Sequence, residues 1–387
     1  MNRNIILYCF SFLFLLACDG MNDNIKEYLD RGEINYIGRA DSATAMGGIN
    51  RIKFMWKINT DPRITSGKIY WNDKQDSISF PIDRGLIDKD GYFTHILDDM
   101  PEGTFIFNLY HVGMDNSLSI GYEIPGTIYG DIYKSTLSPR KIKRVEALAD
   151  KVNLYWGDAG SSSGILFTYT NKTGEKKTID IPASETVTVI DDYVLGGEYY
   201  YKTMFLPEKD ALDQFELDSP VDKFPTYYVG DGSLDDNFPE YPKLDRTVWK
   251  IIDFSSEEPT GEGANGRAAL IIDNDPSTFW HSEWEATTAQ LPHYISIDMN
   301  TVKNVKCVTI AKRQSNTDLK TAHIEISTDN HSWEIVGKVE FEKTENPNAR
   351  TIVLGETKKA RYMKLVITES HRSPSASISE VYVLGTE

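Results

Sequence analysis

The feature that most constrains this chain is the period of its apolar residues. Short runs alternate apolar with polar side chains, as in Arg51-Ile52-Lys53-Phe54-Met55-Trp56, Lys151-Val152-Asn153-Leu154-Tyr155-Trp156 and His293-Tyr294-Ile295-Ser296-Ile297-Asp298. A period of two sends successive side chains to opposite faces of a strand, so each run buries one face and pairs its backbone with a neighbour. Gly, Pro, Asn and Asp punctuate the runs, and no long segment keeps the 3.6-residue period of an amphipathic helix. The chain reads as all-β. Its 40% hydrophobic and 11% aromatic content is enough to fill cores, and 387 residues make room for two or three domains.

The two runs ending in Trp56 and Trp156 head similar modules. Each is followed by a Gly-led apolar strand, Gly67-Lys68-Ile69-Tyr70-Trp71 and Gly164-Ile165-Leu166-Phe167-Thr168-Tyr169. Each later shows a turn and a long strand, from Met100-Pro101-Glu102-Gly103 in the first and Leu195-Gly196-Gly197-Glu198 in the second. A repeat of roughly 100 residues with an early Trp strand predicts two fibronectin-III/Ig-like β-sandwiches, with both Trp residues in cores. They are placed at 33–140 and 141–219. Pro220, Pro225, Pro239 and Pro242 mark 220–244 as a linker stiffened by proline, and a shorter linker is expected at 18–32. In the first module Asp41-Ser42, Ile69-Tyr70-Trp71-Asn72, Pro101-Glu102-Gly103 and Ile128-Tyr129-Gly130-Asp131-Ile132-Tyr133 resemble the DUF4998 type of N-terminal domain in Bacteroidetes surface lipoproteins. That resemblance implies a setting among glycan-import systems, and no activity comes with it.

Arg3 precedes an apolar run over 5–16 that is too short to span a bilayer and reads as a signal peptide, 1–17. Leu15-Leu16-Ala17-Cys18 resembles a bacterial lipobox, which implies cleavage after Ala17 and a lipid anchor on Cys18. Asp19 and Asp23 resemble the surface-export signal of Bacteroidetes lipoproteins. The expected address is the outer membrane, lipid-anchored and cell-surface exposed. With Cys9 removed and Cys18 lipidated, Cys307 is left alone, so no intrachain disulfide is expected; its alternating strand makes it a core residue. The net charge of -17 argues against nucleic acid as a partner.

Near the C-terminus, Asp273-Asn274-Asp275-Pro276-Ser277-Thr278-Phe279-Trp280-His281-Ser282-Glu283-Trp284 precedes the strand at 293–298. Ser327-Thr328-Asp329-Asn330-His331-Ser332-Trp333, Ala360-Arg361-Tyr362-Met363-Lys364-Leu365 and Ser375-Ala376-Ser377-Ile378-Ser379-Glu380-Val381 follow in order. Together they resemble the F5/8 type C (discoidin-like) family, which includes carbohydrate-binding modules. The resemblance covers 245–387 and implies an eight-stranded jelly roll of two antiparallel sheets. It also implies a structural Ca2+, held by Asp273, Asp275, Thr278 and Glu380 with backbone carbonyls near Leu270 and Ser377. An oxygen-only donor set suits that ion. For a sugar, aromatic faces cover C–H patches and polar groups fix hydroxyls. Arg313 and Trp284 are the leading candidates, with His281, Glu283, Gln314 and Asn316. His281 and Glu283 are equally readable as a pair that holds the loop. Trp280 is expected to pack inward.

Other motifs lack the context their chemistry needs. Gly261-Glu262-Gly263-Ala264-Asn265-Gly266 spells GxGxxG, yet fewer than two helical turns separate it from Asp273-Asn274-Asp275-Pro276. Gly160-Ser161-Ser162-Ser163-Gly164 matches GxSxG but joins two strands. The histidines are scattered without a zinc motif. The expected protein is a non-catalytic surface lipoprotein that captures a glycan through its C-terminal module, within a polysaccharide-utilisation system and beside outer-membrane glycan-import proteins. Its rivals are an adhesin or assembly lipoprotein with a protein partner, and an enzyme hidden in the middle modules.

Overall fold

The computed structural model describes residues 36–230 and 238–387. The expected signal peptide 1–17, the lipidation site Cys18 and the linker 18–32 lie outside the described residues. Among the described residues no helix is long and apolar enough to cross a membrane. The chain divides into two compact units, Met1–Leu137 with Leu206–Gln214, and Ser138–Phe205 with Phe215–Glu387.

The first unit holds β1 (Asp41–Gly47), β2 (Ile52–Lys57), β3 (Ile64–Trp71), β4 (Asp76–Pro81), β5 (Tyr92–Leu97), β6 (Gly103–Gly113) and β7 (Tyr122–Ile128). They form a three-stranded sheet β1-β2-β5 and a four-stranded sheet β4-β3-β6-β7, all antiparallel, as a fibronectin-III-like sandwich requires. Alternation along β2 buries Ile52, Phe54 and Trp56 completely. A buried indole N–H needs an acceptor, and Trp56 Nε1 donates to His111 Nε2 at 3.0 Å. His111 Nδ1 in turn donates to the Gly38 carbonyl at 2.7 Å. The unit takes in 206–214, where Asp213 accepts from Arg51 Nε at 2.9 Å and from the Ile49 N–H at 2.8 Å.

The second unit begins with β8 (Ile142–Ala147), β9 (Val152–Trp156), β10 (Ser162–Thr170), β11 (Lys176–Pro182), β12 (Val187–Ile190), β13 (Glu198–Phe205), β14 (Phe215–Asp218) and β15 (Asp222–Lys223). The sheets β12-β9-β8 and β11-β10-β13-β14 repeat the strand plan of the first sandwich, which accounts for the sequence repeat. Trp156 is again core, its Nε1 donating to Thr188 Oγ1 at 2.9 Å. Gly160 to Gly164 leads directly into β10, and no helix follows the GxSxG pattern.

After β16 (Tyr227–Gly230) come β17 (Lys250–Phe254), β18 (Trp280–His281), β19 (His293–Lys312), β20 (Leu319–Ser327), β21 (Glu334–Glu340), β22 (Ala349–Ser370) and β23 (Ser377–Thr386). The long strands β19 and β22 bend from one layer of a jelly roll into the other. In β19 the register slips between Asp298 and Lys303, where Asn300 takes φ 72°, a left-handed conformation that Asn tolerates. One layer pairs β17, the first half of β19, the second half of β22, β20 and β21. The other pairs β18, β23, the second half of β19, the first half of β22, and β16. Trp280 and Cys307 are both fully buried.

The stretch 220–244 is therefore more than the expected linker. Asp222–Lys223 pairs with β13, and Phe224 is buried in the second sandwich's core. Tyr227 to Gly230 then pairs with Leu354 to Thr351 on the edge of the jelly roll. Alternation divides this strand between neighbours: Tyr227 and Val229 pack on the jelly-roll core, while Tyr228 packs on the sandwich core and on the cluster around Cys307. At half burial Tyr227 and Val229 contribute roughly 1 kcal/mol each. Arg144 of β8 adds a 2.9 Å hydrogen bond to Glu340 of β21. Gly355 donates its N–H to the Thr226 carbonyl at 2.8 Å, and a Cβ at position 355 would sit 2.8 Å from that oxygen. Gly355→Val should lower the stability of this unit by about 1–3 kcal/mol, as overpacking does. Hydrogen exchange on the full chain checks it: amides of β16 and of the first half of β22 should lose protection together.

Candidate functional site

The loops after β17, after β18 and after β19 meet at one place, and a buried carboxylate holds two of them. Glu258 is fully buried. Its Oε1 accepts from the Thr260 N–H (3.0 Å), the Thr260 hydroxyl (3.2 Å) and the Gly261 N–H (2.9 Å). Its Oε2 accepts from the Trp284 and Glu285 N–H groups, both at 2.9 Å. Burial would push this carboxyl up, but the four backbone N–H groups outweigh it and hold the group down at about 2. Gly261 sits directly against the indole, since a Cβ there would lie 2.6 Å from Trp284 Cζ2. Trp284 remains 42% exposed and so offers a ring surface to solvent.

Glu262, the next residue, brings the polar groups together. Its Oε1 accepts from Trp284 Nε1 at 3.3 Å and lies 4.0 Å from His281 Nε2, while its Oε2 lies 3.5 Å from Arg313 Nη1. The Arg313 guanidinium stacks on the Phe279 ring, 3.7 Å from its centroid, which fixes its plane. His281 is buried and donates from Nδ1 to the Ser282 carbonyl at 2.6 Å. The structure thus gathers Arg313, Trp284 and His281 around a carboxylate that sequence reasoning passed over, inside the rejected GxGxxG stretch. Only the pairing of loops distant in sequence marks Glu262. Rejecting a dinucleotide fold was sound, since a 3-10 turn (Ala268–Ile272) follows.

The other expected residues are placed differently. Glu283 shapes the turn with its backbone: its N–H donates to Ser256 Oγ at 3.3 Å and its carbonyl accepts from the Ala289 N–H at 3.0 Å. Its carboxylate forms no hydrogen bond or ion pair among the described residues, so it does not form the expected pair with His281. Gln314 is exposed beside Arg313. Asn316 turns its amide onto Asp318, donating to Oδ2 at 3.0 Å and accepting from the N–H at 2.7 Å. That commits it to its own turn.

The acidic turn packs against the closing strand on a second residue that sequence reasoning missed, Arg246. Its guanidinium is buried, pairs with Glu380 Oε2, and donates to the Val381 carbonyl at 2.8 Å and to Asn274 Oδ1 at 2.6 Å. Glu380 is itself fully buried. Burial, reinforced by neighbouring Asp273 and opposed by Arg246, pushes its carboxyl up to about 7. Among the described residues, Glu380 Oε1 and Ser377 Oγ are buried and meet no hydrogen-bond partner. Asp273 Oδ2 accepts from the Thr278 hydroxyl at 2.8 Å, whereas the Asp275 carboxylate turns to Ser277, accepting from its N–H at 2.9 Å and its hydroxyl at 2.6 Å. Leu270 lies in the 3-10 turn. Among the described residues no three acidic, His or Cys side chains cluster as a metal site. The orphaned Glu380 Oε1 lies within electrostatic reach of Asp273, and this oxygen-only donor set fits a hard cation.

This arrangement of bent strands and loops is that of an F5/8 type C domain, and the model of that family matches residues 252–381. The chain belongs to the DUF4998 family, a domain of unknown function, whose model matches 18–215. That match is wider than 33–140 and takes in the first sandwich and the second as far as the start of β14. A sialidase from Micromonospora viridifaciens is 32% identical over 144 residues, 37% of this chain and 22% of that protein. A galactose oxidase from Gibberella zeae is 30% identical over 147 residues, 36% of this chain and 20% of that protein. The chain thus spans about a fifth of the length of these curated relatives. Among solved structures, the C-terminal domain of a chitobiase from Bacteroides fragilis is 36% identical, with 37% of this chain and 97% of that one covered at a TM-score of 0.34. A family 32 CBM from Clostridium perfringens, in complex with galactose, is 21% identical, with 37% and 97% covered and a TM-score of 0.32.

Glu258→Ala would leave four backbone N–H groups without their acceptor and should cost about 1–3 kcal/mol. Exchange protection at Trp284 and Glu285 is the readout. A carboxyl lowered from 4.5 to about 2 contributes stability that is complete above pH 4.5 and fades as the pH falls toward 2. In the parent chain the same two amides should lose protection over that window.

Proposed function

We propose that this protein captures a glycan at the loops gathered around Glu262, without turning it over. The observation that carries the reading is the convergence of Glu262, Arg313 and His281 beside an exposed indole, in a domain that matches the F5/8 type C family. The indole covers the C–H face of a pyranose, and the carboxylate, imidazole and guanidinium fix its hydroxyls. The wider role is capture at the cell surface for a polysaccharide-utilisation system, with the chain held to the outer membrane by lipid on Cys18 and working beside glycan-import proteins. The lipobox-like Leu15-Leu16-Ala17-Cys18 supports the anchor.

In this reading a structural Ca2+ is held by Asp273, Thr278 and Glu380, with backbone oxygen from the 3-10 turn and from Ser377. The ion would tie the acidic turn to the closing strand, beside the Arg246 pair.

A glycan-array screen of the full chain should give selective binding. Arg313→Ala and Glu262→Ala should each weaken it at least tenfold, about 1.4 kcal/mol, with an unchanged circular-dichroism spectrum. Silence across a broad array from the folded chain would overturn the reading and favour a protein partner. Millimolar Ca2+ should raise the melting temperature, and Asp273→Asn should abolish that increase. Identical melting curves with Ca2+ and with a chelator would remove the ion from the proposal.

A further inference from the structure

We infer that the glycan bound here is uncharged where it is gripped, and that the site rejects sulfated, phosphorylated or uronic sugars. The inference rests on the glycan reading and deepens it. Hydrogen-bond chemistry is the first ground. The Nδ1–H of His281 is committed to the Ser282 carbonyl at 2.6 Å, which in the neutral imidazole leaves Nε2 as an acceptor on the Glu262 side. Glu262 Oε1, 4.0 Å away, is a second acceptor, and that separation is too long for a direct hydrogen bond between them. Neighbouring hydroxyls of a pyranose donate to both acceptors and still accept from the Arg313 guanidinium. A sulfate ester or carboxylate has no proton to donate, and sets lone pairs against lone pairs.

Charge is the second ground. Glu262 stands 3.5 Å from the Arg313 guanidinium and already answers its charge. Two of the other cations on these loops are engaged: Lys312 is buried and donates to the Thr344 carbonyl at 2.6 Å, and Arg267 lies 3.6 Å from Glu257. Glu283 and Glu285 flank Trp284 on the same loop, the latter accepting from the Thr260 hydroxyl, so the loop that carries the indole brings two further carboxylates and no cation. An anionic substituent meets a guanidinium whose charge is already compensated and a loop rich in carboxylates, in a half-buried site where water screens it poorly.

The experiment is a titration of the full chain at pH 8 with a neutral glycan found on the array, then with the same glycan carrying one O-sulfate or a terminal uronic acid. The anionic partner should bind at least tenfold more weakly at low salt. The gap should narrow as salt screens the repulsion, and Glu283→Gln should narrow it further. Equal or tighter binding of the anionic partner, or an anionic affinity that falls as salt is added, would overturn the inference. Binding of acidic glycans with neutral ones ignored would also overturn it while leaving glycan capture intact. No glycan bound at all would sink both.

Discussion

A strand at the edge of a sheet carries a row of unpaired N–H and C=O groups, and much of the second unit follows from how one such edge is closed. The first half of β22 would end its layer exposed. Tyr227 to Gly230 pairs with it instead, and the same four residues divide their side chains between two cores. A Gly at 355 allows the backbones to approach. The second sandwich and the jelly roll are thus joined by main-chain hydrogen bonds as well as by side-chain packing. The bend in β19 and β22 does the rest, carrying two strands through both layers so that one continuous core serves each.

Three buried or half-buried glutamates show how surroundings set the task of one chemical group. Glu258 is surrounded by backbone N–H groups, so it stays ionised and works as an internal clamp for the Trp284 loop. Glu380 faces one guanidinium and one acid and keeps an unpartnered oxygen, which suits a second cation. Glu262 is half-buried, with Trp284 Nε1 donating to one oxygen and the Arg313 guanidinium beside the other, so it ties the loops after β17, β18 and β19 together. Burial does not separate Glu258 from Glu380, which are both fully buried; the nearest donors do.

Much of this architecture was legible in the sequence. Alternation in the runs ending at Trp56 and Trp156 predicted two sandwiches with Trp cores, and the strand plans of the two modules are the same. Trp280 and Cys307 packed inward as their strand positions implied. Proline content misled at 220–244. Pro is compatible with the flanks of a short edge strand, and a four-residue strand in that setting gives no periodic signal. Asn316 was a reasonable sugar ligand by composition, but its amide closes a local turn that only coordinates reveal.

The sequence by itself determined the local physics: which residues alternate, where the chain turns, which indoles need a core, and which loop concentrates acids and aromatics. The tertiary structure decided which distant groups meet. Glu262 with Arg313, Glu258 with Trp284, and Arg246 with Glu380 are separated by 51, 26 and 134 residues. A side chain's neighbours within a strand follow from its period. Its partners across loops depend on sheet register and layer packing, which no local pattern encodes.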